Sequence, residues 1–160
     1  VDSMIHRDDI MRIARAEIGV KEEPSGSNDG PKVREYLASI GLNRPDKWCA
    51  AFVYWVFRQV AGIGANPLPK TGYTPDILRW ARDNNRIIPA RKARHGDLVL
   101  FYFSNLGRVG HVGIVGLVKF GFMYTIEGNT NSEGGREGDR VARKYRRVKG
   151  TMTFVNAIGH

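Results

Sequence analysis

Residues 97–127 read DLVLFYFSNLGRVGHVGIVGLVKFGFMYTIE, and this stretch decides the fold. Asp97 to Phe103 is a continuous apolar run, as in a strand buried on both faces. Ser104 to Gly107 supplies a turn. Val109 to Val118 and Phe122 to Glu127 then read as two more strands, joined by Lys119-Phe120-Gly121. A three-residue hairpin loop commonly ends on a glycine in the left-handed region, and Gly121 is in that position. Such a loop pairs Val118 with Phe122. It then sets Gly116 opposite Tyr124, Gly113 opposite Glu127 and, where pairing extends that far, His111 opposite Asn129. Side chains alternate between faces, so His111, Glu127 and Asn129 emerge together. A two-residue loop would reverse the parity and separate them. Histidines in strands are usually structural. One with a carboxylate and an amide beside it, on a sheet otherwise apolar, is a base with its orienting group.

Beyond this hairpin, Val141 to Val148 and Thr151 to Ala157 predict a fourth and a fifth strand. Upstream the chain reads as helices. Asp8 or Asp9 can cap a helix running to about Ile18, with Gly19 past its end. A glycine- and serine-rich loop spans Pro24 to Gly30, Pro31 opens a second helix, and Gly41 stops it. A third helix runs from near Trp48 to near Gly62. Ala50, Ala51, Phe52, Val53, Trp55, Val56 and Phe57 make it apolar almost all round, so it is the buried central helix. Thr74-Pro75-Asp76 opens a short fourth helix carrying Leu78 and Trp80. Helices followed by strands predict an α+β fold, with N-terminal helices packed on a mainly antiparallel sheet.

Cys49 stands at the start of the central helix. Unpaired N–H groups and the helix dipole stabilise a thiolate there, and a nearby imidazole lowers the thiol pKa further. A lone cysteine is more often an inert core residue. Here it sits at a helix start, next to small residues, with a histidine–carboxylate pair on a sheet downstream. That is the arrangement of thiol hydrolases.

Composition narrows the reading. The chain has 160 residues, 42% hydrophobic and 26% charged, which suits one domain over 1–160 with a real core. A single cysteine excludes an internal disulfide and multi-cysteine metal or iron–sulfur sites. The four histidines have no short ligand spacing, so no metal site is expected. No apolar run reaches the roughly 20 residues of a membrane span. Val1 to Asp9 is polar, without the apolar segment of a signal peptide. The net charge of +9 suits a polyanionic partner: nucleic acid, an anionic envelope or an acidic polymer.

Four segments, in order, resemble the CHAP domain. They are Trp48-Cys49-Ala50-Ala51-Phe52-Val53, His95-Gly96-Asp97-Leu98-Val99-Leu100-Phe101, Gly110-His111-Val112-Gly113-Ile114-Val115 and Ile126-Glu127-Gly128-Asn129-Thr130-Asn131. Asn28 to Val33 with Tyr36-Leu37 also resembles a lead-in helix of one CHAP subgroup. The likeness covers roughly Glu17 to Phe154. It implies a papain-like core of the NlpC/P60 superfamily, and an amidohydrolase or peptidase that cuts a peptidoglycan amide without a cofactor. The bond would lie in the stem or cross-bridge peptide, or join N-acetylmuramic acid to the first alanine. In that resemblance Cys49 is the nucleophile, His111 the general base and then acid, Glu127 the orienting group, and Asn129 an additional polar residue. Asp97 is structural, and the Cys49 N–H is the inferred oxyanion donor. His95 stands where proline is common in the family and has no catalytic part. Some CHAP lysins hold calcium through acids just before the cysteine. Asn43-Arg44-Pro45-Asp46-Lys47 has one acid among basic residues, so no calcium site is expected.

Trp48, Tyr73 and Trp80 are candidate substrate contacts, weighed against ordinary packing. The basic run from Arg136 to Lys149 reads either as a solvated strand face or as attraction to an anionic envelope. Nucleic acid fits it less well, because Tyr145 is its only aromatic residue. The partner expected is bacterial peptidoglycan, met by a monomer at the cell wall. Release by a phage or delivery by a secretion system would bring it there. The competing reading is a non-catalytic envelope- or polyanion-binding domain on the same scaffold.

Overall fold

Four sequence segments with helical periodicity come first, and each forms a helix. In the computed structural model, which describes residues 5–130 and 138–160, these are α1 (Arg7–Ala16), α2 (Pro31–Ser39), α3 (Cys49–Ala61) and α4 (Thr74–Asp83). Six strands follow: β1 (Ile87–Ile88), β2 (Leu98–Phe103), β3 (Arg108–Lys119), β4 (Phe122–Thr130), β5 (Arg140–Arg147) and β6 (Met152–Val155). They make one sheet in the order β1-β6-β2-β3-β4-β5, antiparallel at every pairing. The α+β architecture is as expected. The two-residue β1 lay outside the expectation because it is too short to show periodicity. Asn131 and Arg136 lie outside the described residues.

The helices cover one face of the sheet. Ile10, Val33, Phe52 and Val56 meet Leu98, Leu100, Ile114 and Ile126 in the main core. Val99, Phe101, Val115, Met123 and Phe154 form a smaller cluster on the opposite face. The N-cap of α1 differs from expectation. His6, not an aspartate, holds the N-cap position of α1, and Asp8 and Asp9 occupy its first turn, where they complement the dipole. In α4 the inward positions are Thr74, Ile77 and Ala81, the three-to-four-residue spacing of one helix face. Leu78 and Trp80 are only partly buried.

The β3–β4 hairpin corrects the expected loop and keeps its consequence. Lys119 pairs with Phe122, so the loop is the two residues Phe120 and Gly121. Both have positive φ, at 54° and 77°, as a type I′ turn requires. This reverses the parity. A bulge between Val115 and Leu117 reverses it again, and beyond it Ile114 faces Ile126. Gly116 is the extra residue. A Cβ there would lie 1.9 Å from a Tyr124 ring carbon, so only glycine fits without a rearrangement.

Asp97 anchors the N-terminal helix to the sheet. Its carboxylate is buried, accepts from Arg7 at 2.7 Å and accepts the Arg94 N–H at 2.8 Å. Arg7 also donates to the carbonyls of His95 and His160.

Candidate active site

Cys49 is the first residue of α3, and no side chain caps that helix start. The unpaired N–H groups of the first turn therefore favour negative charge on the thiol. Alternation along β3 puts Val112 and Ile114 in the core beneath the helices, and His111 and Gly113 on the opposite face. His111 is the cross-strand partner of Phe101, their ring centres 5.5 Å apart.

β3 and β4, by contrast, are no longer paired at the level of His111. Val115 donates to the Asp97 carbonyl and accepts the Gly96 N–H. Odd-numbered residues in this part of β3 therefore bond toward β2, and even-numbered ones toward β4. Pairing with β4 ends at Ile114 and Ile126, although both strands continue. That frees the Val112 N–H from the ladder, and it and the Ala50 N–H are directed to the Cys49 sulfur, where they favour the thiolate. Burial pushes the thiol pKa up. The neighbouring His111 and these two N–H groups outweigh it, so the thiol ionises below its ordinary value.

Glu127 is fully buried and takes four close donors. His111 Nε2 lies 2.8 Å from its Oε1, and Arg146 spans both carboxylate oxygens through Nε and Nη2 at 2.8 Å each. The Thr125 hydroxyl donates to Oε2. Burial raises the carboxyl pKa, but His111 and Arg146 hold it well below the usual range. Facing a carboxylate, His111 Nε2 carries a proton. Nδ1 is buried, has no hydrogen-bond partner among the described residues, and is the nitrogen left to exchange protons. Burial lowers the His111 pKa, but Cys49 and Glu127 together raise it to about 9. A Cβ on Gly113 would come 2.8 Å from Glu127 Cγ, so glycine makes the space in which the carboxylate turns toward the imidazole.

Asn129 is placed differently from expectation. The β3–β4 pairing stops before it, so it does not face His111 across a ladder. It is buried, has φ of 55°, and its amide has no hydrogen-bond partner among the described residues.

Cys49 opens on a cleft of about 350 Å³ whose lining includes Arg44, Asp46, Lys47, Tyr73, Arg108 and Gly110. Tyr73 is 51% exposed, with the Arg108 guanidinium 5.0 Å from its ring centre. Trp48 and Trp80 do not line this cleft. Trp48 is fully buried, stacks on Tyr36 and donates its indole N–H to Glu22 at 2.8 Å. Trp80 packs against the core and carries Arg86 over its ring, away from the cleft. Among the described residues no group of three or more His, Cys, Asp or Glu is gathered to hold a metal ion.

Arg146 and Arg108 were missed at the level of sequence. Arg146 sits in a run of basic residues, and the long connection between β4 and β5 leaves their register undefined until the sheet forms. Alternation within β5 was the one available signal.

A model of the CHAP domain family matches residues 41–129, more than half of the chain. No curated protein sequence matches it. Among solved structures, the fold is similar to that of a wild type endolysin, LysIME-EF1. The TM-score is 0.56 and the identity 14%, covering 97% of this chain and 65% of that one. Ly7917 gives a TM-score of 0.53 at 17% identity, covering 93% and 61%. Ly7917 with the hydrolyzing product of MDP gives 0.52 at 16% identity, covering 95% and 63%. This chain thus spans less than two thirds of the length of each of those chains.

Proposed function

This chain belongs to the CHAP domain family, and from that premise we propose that it hydrolyses an amide bond of bacterial peptidoglycan by cysteine nucleophilic catalysis. The observation that carries the proposal is the buried series Cys49–His111–Glu127, with a thiol pKa lowered and an imidazole pKa raised. In this reading residues 1–160 act as one catalytic domain.

The Cys49 thiolate attacks the scissile carbonyl carbon. The Cys49 N–H, at the dipole-favoured start of α3, donates to the oxyanion that forms. Imidazolium Nδ1 gives its proton to the leaving amine as the C–N bond breaks, and a thioester remains. His111 then takes a proton from water, hydroxide adds to the thioester, and the thiolate departs, leaving a carboxylic acid. Glu127 keeps the ring in one orientation and stabilises its charged form. A fold shared with an endolysin, and with a protein solved with a hydrolysis product of MDP, supports a wall substrate.

The test uses isolated sacculi. Wild-type protein should release soluble fragments, Cys49→Ala and His111→Ala should lose most of that activity while staying folded, and Glu127→Gln should lose less. Mass spectrometry of the fragments identifies the bond, separating an endopeptidase from an N-acetylmuramoyl-L-alanine amidase. Binding without release by the wild type would favour a non-catalytic wall-binding domain. Near wild-type activity in His111→Ala would refute the mechanism.

A further inference from the structure

The charges of β5 divide between the two faces of the sheet. Lys144 and Arg146 lie on the Glu127 face, while Arg143, Tyr145 and Arg147 lie on the helix side. The helices cover only the inner part of that side: Ile126 is buried, Tyr124 partly so, and Phe122 is 56% exposed. Cross-strand pairing sets Lys119, Phe122 and Arg147 in one row, and Leu117, Tyr124 and Tyr145 in the next. Opposed residues share a face, so the two rows form one surface. Leu117 and Tyr145 are 52% and 76% exposed. Arg143 lies 5.0 Å from the Tyr124 ring centre and Arg147 5.4 Å from that of Phe122. Among the described residues none of Lys119, Arg143 and Arg147 is in an ion pair.

We propose that this sheet face binds a phosphate-bearing anionic glycopolymer of the bacterial wall. Stacking on the rings restrains the guanidiniums, and their forked donors suit phosphate oxygens. A nucleic acid fits less well, because two of the three rings already carry a guanidinium and only Tyr145 remains open to a base. The face lies on the strand that also reaches the cleft. Gly110 to Leu117 spans roughly 23 Å at about 3.3 Å per residue. A chain held here keeps Cys49 close to the wall without blocking its cleft. The proposal rests on the reading of the cleft as a wall hydrolase.

The test sediments the Cys49→Ala protein, which leaves walls intact, with purified bacterial walls before and after acid extraction of their phosphate polymer. On this background Lys119→Gln/Arg143→Gln/Arg147→Gln should weaken binding to intact walls at least about tenfold, each cation contributing up to about fivefold at an anionic surface. Arg12→Gln/Arg91→Gln/Lys92→Gln, with the same change in net charge, should stay within about twofold. Thermal melts verify that both variants fold. Equal weakening by the two triple variants, no weakening, or full binding to extracted walls would overturn the proposal. So would tighter binding of single-stranded nucleic acid than of the polymer at the same salt. A wild type that binds walls through this face but releases no fragments overturns the catalytic reading and leaves this one standing.

Discussion

Replacing Arg146 with Met isolates what holds Glu127 in place. Glu127 is fully buried and would lose two charge-assisted hydrogen bonds of 2.8 Å. Removing one partner of a buried ion pair costs about 3–5 kcal/mol. Arg146 is itself 18% exposed, so solvent already screens part of the pair, and His111 and Thr125 still donate to the carboxylate. Met refills the volume of the aliphatic stem, while the contact of the guanidinium with Phe101 at 4.3 Å is lost, a further ~0.5–2 kcal/mol. We therefore expect a loss of about 3 kcal/mol in urea unfolding at pH 7. A second readout uses the sole cysteine, whose alkylation by iodoacetamide is followed against pH. The Arg146 charge opposes the imidazolium through Glu127, so its removal should move the transition that reports imidazolium loss above its value of about 9. Arg146→Lys, with charge but no fork, should restore part of both effects. An unfolding free energy within about 0.5 kcal/mol of wild type, with an unchanged alkylation profile, would show that Arg146 is an ordinary surface cation.

Gly113→Ala should reduce wall hydrolysis at least about tenfold by displacing Glu127 from His111, and cost only about 1–3 kcal/mol of stability. Initial rates and thermal melts compare the two, and unchanged rates would mean that Glu127 tolerates the methyl group. The His111 pKa is raised on folding from 6.5 to about 9. Its charge-dependent stabilisation is therefore fully present below about pH 6.5 and disappears as pH rises through about 9. Unfolding at several pH values should show the advantage of wild type over His111→Gln shrinking across that window. Arg7→Ala should lose about 3–5 kcal/mol by stranding the buried Asp97 carboxylate, without altering the pH profile of Cys49 alkylation. A shifted profile would link the two sites.

The hairpin shows how a sequence reading can reach a correct placement by an incorrect route. Alternation in residues 111–127 was legible, and it set His111 beside Glu127. The loop was read one residue too long, because glycine at its end suits both lengths and nothing local signals that Phe120 adopts a left-handed φ. The compensating bulge at Gly116 depends on the ring of Tyr124, which arrives from another strand. Asn129 was projected along a ladder that in fact stops at Ile114, and no residue near Asn129 in the sequence signals that stop.

Local information was enough for the helices, the main strands, the position of Cys49 at a helix start and the alternation that pairs an imidazole with a carboxylate. These depend on periodicities of two and 3.6 residues and on nearby glycines and prolines, all properties of short stretches of chain. Tertiary structure alone decided that the Val112 N–H is released to the thiol, that Trp48 is core rather than groove, and that Arg146 is an ion-pair partner rather than a solvated cation. Each depends on a neighbour brought in by long-range pairing, and residues of one type in one run acquire different roles according to the face on which the sheet leaves them.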